Sequence, residues 1–235
     1  MAIADLRREY NLTGLRRRDL DPDPIAQFNR WFEQASGVRA SGRIMKALIR
    51  VYKALLMVSG TQPMDVNAMT LATADKVGRP SARVVLLKGL DARGFIFFTN
   101  YDSRKGHELT ENPRAALVFY WAGLERQVCV AGDVTQVPAS ESAQYFKSRP
   151  RGSRLAAWAS RQGEVIRDRA ELEEKWKQLE KQFPGEDVPR PDYWGGYVLA
   201  PIRFEFWQGR PSRLHDRFRY SKQPDGKWLI ERLAP

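Results

Sequence analysis

The chain has little of what most often carries chemistry: one cysteine and two histidines among 235 residues. The lone Cys129 excludes a disulfide within the chain and fits a reducing compartment. With His107 and His215 it cannot assemble the usual zinc sets, and there is no HExxH, so no metal is expected. No GxGxxG follows a strand, and no GxxxxGK followed by Ser or Thr occurs, which leaves neither a dinucleotide fingerprint nor a P-loop. No segment approaches the roughly 18 uninterrupted apolar residues of a membrane span. MAIADLRREYNL lacks the apolar run of a signal peptide, and a cytoplasmic protein is expected.

Positive charge is in excess. Lysine plus arginine number 39 against 28 acids, a net +11. Nucleic acid, a membrane surface or small phosphorylated molecules would each suit that field, and solubility alone accounts for it equally well. Placement has to decide.

At 43% hydrophobic, with no internal repeat or low-complexity linker, residues 1–235 read as a single domain. Residues 1–20 carry LRREYNLTGLRRRDL, with little apolar periodicity, and are expected to form a mobile arm. Asp23-Pro24 opens a helix through Gln34. A second helix is predicted from Arg43 to Val58, with Arg43, Lys46, Arg50 and Lys53 on one stripe and Ile44, Leu48, Val51 and Leu55 opposite. After Pro63, AMTLATA, SARVVLLKG and FIFFTN, punctuated by turns, predict an antiparallel meander. A short helix capped by Asp102 or Ser103 follows, then the strands RAALVFYW and ERQVCVAGDVTQV. Residues 139–183 read as helical with breaks near Pro150 and Gly163, and GGYVLAPIRFEFWQG, RLHDRFRY and KWLIERL return to strand. The fold class is mainly β with flanking helices, as in a closed or partly closed barrel.

Four stretches join basic residues to hydroxyl or aromatic ones: RVVLLK (83–88), FTNYDSRKG (98–106), YFKSRPRGS (145–153) and EFWQGRPSRLHDR (205–217). Guanidinium and ammonium groups grip phosphate through charge-assisted bonds, and more than one such cluster implies more than one phosphate. Arg104-Lys105 in the first turn of a helix is unfavourable unless an anion is present. Tyr145, Arg149 and Ser153 recur at four-residue spacing, as a ligand-facing or a solvated helix face would. Arg83 and Lys88 fall on opposite strand faces unless the strand bulges or ends between them. Read as a strand, RLHDRF sends Arg213, His215 and Arg217 to one face and Leu214, Asp216 and Phe218 to the other.

These motifs carry a resemblance. RREY, RVVLLK, FTN-x-x-SRK, LERQV, YF-x-SRPR-x-S, EFWQG followed by RLHDR, and the closing ERLAP run in order from Leu6 to Pro235. Together they resemble the pyridoxine/pyridoxamine 5′-phosphate oxidase family. The resemblance implies a homodimeric, FMN-binding split β-barrel that oxidises pyridoxine 5′-phosphate or pyridoxamine 5′-phosphate with O2 to pyridoxal 5′-phosphate and H2O2, with NH3 also leaving the amine. A flavin reductase of the same fold lacks a reason for the Tyr145, Arg149, Ser153 set, and no nucleic-acid partner is expected.

Carried over residue by residue, the resemblance implies that Arg83, Val84, Val85, Leu86, Leu87 and Lys88 line FMN. Phe98, Thr99, Arg104 and Lys105 continue the cradle around its phosphate and ribityl chain, and Gln127, Gln162, Trp207 and Arg217 approach from further along, some from the partner subunit. Lys88, Tyr145, Arg149 and Ser153 match the grip on the substrate phosphate, and Arg7 and Tyr10 a lid over the pyridine ring. Arg213 and His215, with Leu214 between them, match the catalytic pair that holds substrate against the flavin, Arg213 by stacking and His215 by a hydrogen bond.

Three features depart from the pattern. Gly163 stands where a serine is expected after Gln162, so its cofactor contact is missing or made by backbone. Phe98 stands where tyrosine also occurs. Residues 39–62 are longer than expected and read as an inserted amphipathic helix, for which packing on protein is favoured over membrane contact by 43–58.

Overall fold

The computed structural model describes residues 9, 10, 12, 14–37 and 65–235. Arg7 and the helix expected within 39–62 lie outside the described residues. Two compact units are present, the first comprising the described residues up to Thr70, Leu117–Ala131 and Ile202–Pro235, the second Leu71–Ala116 and Gly132–Pro201.

Strands dominate the chain from Ala68 to Gln208. β1 (Ala68–Ala74), β2 (Pro80–Leu86), β3 (Gly89–Asp91) and β4 (Gly94–Asn100) precede the helix α2 (Arg104–Glu111). After these come β5 (Arg114–Trp121) and β6 (Arg126–Gln136), then α3 (Ala139–Ser148), α4 (Arg151–Ala159), α5 (Arg169–Gln182) and β7 (Trp194–Gln208). The strand order is β2-β1-β5-β6-β7-β4-β3.

This order corrects the predicted meander. β1 with β2 and β3 with β4 are adjacent pairs, but the two pairs stand at opposite ends of the order. β4 buries Phe95, Ile96 and Phe97 in succession and so takes an interior place between β3 and β7. A strand apolar on both faces needs cover on both, which a purely local meander does not provide.

The helical region breaks at Arg149-Pro150 and again over 160–168, near the expected places. Proline disfavours helix in the residue before it, so Arg149 is extended (φ −74°, ψ 148°) at the end of α3, and Pro150 leads into α4. α5 buries none of its residues and is supported by Arg169–Glu173 and Glu171–Lys175 pairs one turn apart.

In the first unit, Asp23 caps α1 (Pro24–Ser36) by accepting from the backbone N–H of Ile25 at 3.0 Å and Ala26 at 3.3 Å. Gly37 closes the helix at φ 70°, and the last helical residue, Ser36, lies two beyond the expected end. α1 buries Phe28 and Trp31, whose rings meet Phe119 at 4.9 Å and Phe206 at 5.2 Å. Truncating either to alanine would cost about 3–5 kcal/mol. The C-terminal half of β7 pairs with β8 (Asp216–Lys222), and β8 with β9 (Trp228–Leu233).

The strand reading of RLHDRF is corrected here. Pro211–Arg213 forms a 3-10 turn, with Ser212 and Arg213 at φ 56° and 61°, and β8 starts only at Asp216. Leu214 N–H donates to Pro211 O at 3.2 Å and Arg210 N–H to His215 Nδ1 at 3.1 Å, so the loop closes on itself. Proline fixes φ in the turn and outweighs the alternation of the following residues. Arg213 and His215 therefore share a loop rather than a strand face with Arg217. Among the described residues, no helix is long and apolar enough to cross a membrane.

Candidate active site

A cavity of about 690 Å³ opens in the second unit, a volume suited to a cofactor-sized ligand. β2 and β4, the first turn of α2, the α3–α4 junction and the start of β7 supply its walls. Arg83, Val84, Val85, Leu86 and Lys88 line it together because β2 ends at Leu86; Leu87 turns into the core instead. That strand end answers the alternation problem between Arg83 and Lys88. Phe98, Thr99, Lys105 and Gln162 line the same cavity, as do Tyr145, Arg149 and Ser153.

Its electrostatics centre on Lys105 and Glu108. Lys105, 6% exposed, donates to Ser103 Oγ at 2.8 Å and Gln162 Oε1 at 2.7 Å. Burial, helped by the Arg83 charge, pulls its ammonium down to about 8. Glu108, 4% exposed, accepts from Thr73 and Ser81 hydroxyls at 2.5 Å each, from Arg104 Nε at 2.8 Å and from Arg83 Nη2 at 3.3 Å. Burial alone would raise its carboxyl, but those bonds outweigh it and hold the group at about 2. Arg83 is further held by Leu71 O, Thr73 Oγ1 and Ser81 Oγ. Arg104 is mostly exposed, pairs with Glu108 and does not line the cavity. Gly163 is exposed at φ 98°, where an L side chain is strained, which gives glycine a backbone reason to stand there.

Aromatic rings form one wall. Phe98 stacks on Tyr145 at 3.9 Å and on Trp194 at 5.6 Å, with the planes 16° and 9° apart. Phe98 faces Gly196 across β4 and β7, and a Cβ there would come within 2.7 Å of the ring. The Arg149 guanidinium lies 4.6 Å from the Trp194 ring centre, and its Nη1 is buried without a hydrogen-bond partner. Burial lowers the Arg149 pKa and raises that of Tyr145. An orphaned guanidinium nitrogen in a cavity beside a lysine, a phenol and a serine suits an oxyanion.

The remaining expected residues gather in the first unit. Tyr10 meets Trp207 at 5.4 Å and His215 at 5.5 Å, edge to face in both cases. Trp207 and His215 are 4.7 Å apart. Because His215 Nδ1 accepts the Arg210 N–H, its neutral form carries hydrogen on Nε2 and presents a donor. Burial, with the nearby Arg213 charge, lowers its pKa below 6.5 and favours that form. Arg213 and Leu214 are exposed, and Leu214 and His215 border a second cavity, of about 400 Å³. Arg217 pairs with Glu205 at 2.8 Å and donates to Ala234 O at 2.9 Å, while Gln127 donates to Cys129 Sγ at 3.4 Å.

Sequence reasoning passed over Glu108 and Trp194. Glu108 sits one turn after Arg104, as half of an ordinary helical ion pair would. The signal for Trp194 was a tryptophan followed by two glycines at the start of a strand, where glycine marks a close approach.

Comparisons with known proteins cover nearly the whole chain. The family model described as pyridoxamine 5′-phosphate oxidase matches residues 62–183, and that described as pyridoxine 5′-phosphate oxidase C-terminal dimerisation region matches 194–235. A pyridoxine/pyridoxamine 5′-phosphate oxidase of Ralstonia nicotianae is 53% identical over 100% of this chain and 99% of its own. One from Salinibacter ruber is 50% identical over 99% of each. Among solved structures, PhzG from Burkholderia lata, in complex with tetrahydrophenazine-1-carboxylic acid, superposes with a TM-score of 0.80 at 28% identity, covering 97% of this chain and all of that one. A pyridoxamine 5′-phosphate oxidase-related FMN-binding protein from Nostoc punctiforme shares the fold at a TM-score of 0.60 and 19% identity, over 84% of this chain and 98% of that one. With both family models in chain order and relatives about half identical over its whole length, the chain belongs to the pyridoxamine 5′-phosphate oxidase family.

Proposed function

We propose that the chain oxidises pyridoxine 5′-phosphate and pyridoxamine 5′-phosphate to pyridoxal 5′-phosphate, with FMN as cofactor and O2 as electron acceptor. The alcohol and O2 yield the aldehyde and H2O2; the amine consumes one water as well and releases NH3. The observation that carries the reading is one cavity lined by Lys88, Tyr145, Arg149 and Ser153 together with Arg83, Thr99, Lys105 and Gln162.

The residues fit FMN. Lys105 is buried with neutral partners at two of its three N–H groups, and no carboxylate forms an ion pair with it among the described residues. A cation dehydrated to that degree gains from an anionic phosphate. Lys105, Arg83 and Thr99 would hold the phosphate and its chain, with Val84, Val85, Leu86 and Gln162 against the rest of the group. FMN, when bound, supplies the two-electron chemistry, taking hydrogen from the substrate carbon and passing electrons on to O2.

The protein's own residues bind and align. Arg149, Lys88, Tyr145 and Ser153 grip the substrate phosphate, which anchors the molecule at a point remote from the reacting carbon. His215 Nε2–H donates to the substrate, and Arg213 covers the pyridine ring with its flat guanidinium. Trp207, Arg217 and Gln127 complete the cofactor surroundings, and Tyr10 stands against Trp207 and His215. The chain works as a homodimer through 194–235, the region matching the family's dimerisation segment, in the reducing cytoplasm that its single cysteine suits.

FMN-loaded protein in air should favour pyridoxine 5′-phosphate over pyridoxine by at least about 10²-fold in kcat/KM, the value of two or more charge-assisted bonds. Equal values for the two would contradict the assignment of the phosphate grip.

A further inference from the structure

We propose that Trp194 is a positioning residue for the phosphate grip: its indole face carries the Arg149 guanidinium, and the ring stack it ends holds Tyr145 in register with it. The inference rests on the reading of the cavity as a site for a phosphorylated pyridine, and it assigns a role to a side chain outside the set of expected contacts.

Arg149 has no secondary structure to fix it. It is the extended residue between α3 and α4, followed by Pro150, so its long side chain must be oriented by what it touches. Two aromatic faces do this: Trp194 at 4.6 Å and Phe146 at 5.5 Å from the guanidinium carbon. The tryptophan is the nearer and has the stronger π face for a cation. A guanidinium held over an indole face by its charge still has its N–H groups able to donate.

Trp194 is itself rigid. It is 7% exposed, its backbone N–H donates to Pro191 O at 3.0 Å, and its backbone carbonyl accepts from Arg190 Nη1. Phe146 meets its edge at 5.0 Å, and its plane lies 9° from that of Phe98 and 7° from that of Tyr145. Trp194 lies diagonal to Phe98 across the β4–β7 pair, where aromatic side chains reach each other. The contacts thus run from a buried indole on an anchored backbone to both Arg149 and Tyr145, and an ordered guanidinium loses less entropy on gripping phosphate.

The test compares pyridoxal 5′-phosphate with pyridoxal, which lacks only the phosphate, by equilibrium titration of FMN-loaded protein. Trp194→Leu should weaken pyridoxal 5′-phosphate about tenfold and leave pyridoxal within about twofold. Trp194→Phe should fall between wild type and Trp194→Leu. Combining Trp194→Leu with Arg149→Ala should cost within about twofold of Arg149→Ala alone, since both remove one device. Equal weakening of both ligands, or additive losses in the double variant, would overturn the proposal. If Trp194→Leu does not fold, Trp194→Phe decides: a loss confined to the phosphorylated ligand supports the role, and no loss or a shared loss removes it. Wild-type protein that binds the two ligands equally would instead sink the underlying substrate reading.

Discussion

The Glu108 carboxylate accepts from Arg83 Nη2 at 3.3 Å, and the charges of both act on Lys105, which lines the cavity with Arg83 while Glu108 does not. A buried acid behind a cavity that carries two cations is the counter-charge that lets those cations sit side by side. Without it Arg83 and Lys105 would repel each other in a poorly hydrated site.

Glu108→Gln is therefore expected to destabilise the FMN-free protein by about 2 kcal/mol, the scale of a buried bond to a charged group. It should also weaken FMN several-fold, as read by the quenching of flavin fluorescence. The carboxyl is held at about 2 against an ordinary 4.5, so its contribution is complete above 4.5 and drains away as pH falls toward 2. Urea midpoints of wild type and variant should converge over that range; a constant gap would refute the role.

Lys105 predicts the opposite pH direction for binding. Its ammonium titrates near 8 in the free protein, and a bound phosphate favours the charged form. FMN affinity should be flat below about 8 and decline as pH rises beyond it. Stability of the free protein should rise between about 8 and 10.5, because the unfolded chain binds the extra proton there. Lys105→Met should bind FMN about tenfold or more weakly, with the decline above 8 gone. A wild-type decline that persists in Lys105→Met would assign the titration elsewhere.

Much of this site was legible in the chain, for reasons particular to each residue. Arg104-Lys105 at a helix start violates the dipole preference, and of the two only Lys105 lines the cavity. Tyr145, Arg149 and Ser153 reach one cavity from an interrupted helix, since Pro150 splits α3 from α4 between them. Glu108 stayed hidden because its partners Thr73 and Ser81 come from distant strands. RLHDRF misled because strict alternation is a local rule, and Pro211 with the Arg210–His215 bond bends the chain before the strand begins. The strand order was out of reach for a similar reason: hairpins are written in neighbouring residues, whereas the β4–β7 pairing joins segments about a hundred residues apart.

His215 should act only in its neutral form. Protonation would place hydrogen on Nδ1, eject the Arg210 N–H and reshape the loop that carries Arg213. Since the pKa is lowered from 6.5, kcat/KM should hold across neutral pH and fall on the acid side below 6.5. His215→Asn, which keeps a donor but does not titrate there, should remove the acid limb; an unchanged limb in that variant would exclude His215 as its source.

Arg213→Lys separates a stacked guanidinium from a simple positive charge. Lysine keeps the charge but has no planar fork, so kcat/KM should drop about tenfold or more while FMN binding is unchanged. Arg213→Ala should lose more. Near-wild-type kcat/KM in Arg213→Lys would leave Arg213 as a point charge and remove the stacking role.

The most direct test is to incubate the purified protein with FMN and either pyridoxine 5′-phosphate or pyridoxamine 5′-phosphate in air, following pyridoxal 5′-phosphate and H2O2 together. The two should appear in equal amounts from either substrate, with an equal amount of NH3 from the amine. FMN-loaded protein that makes pyridoxal 5′-phosphate from neither would contradict it.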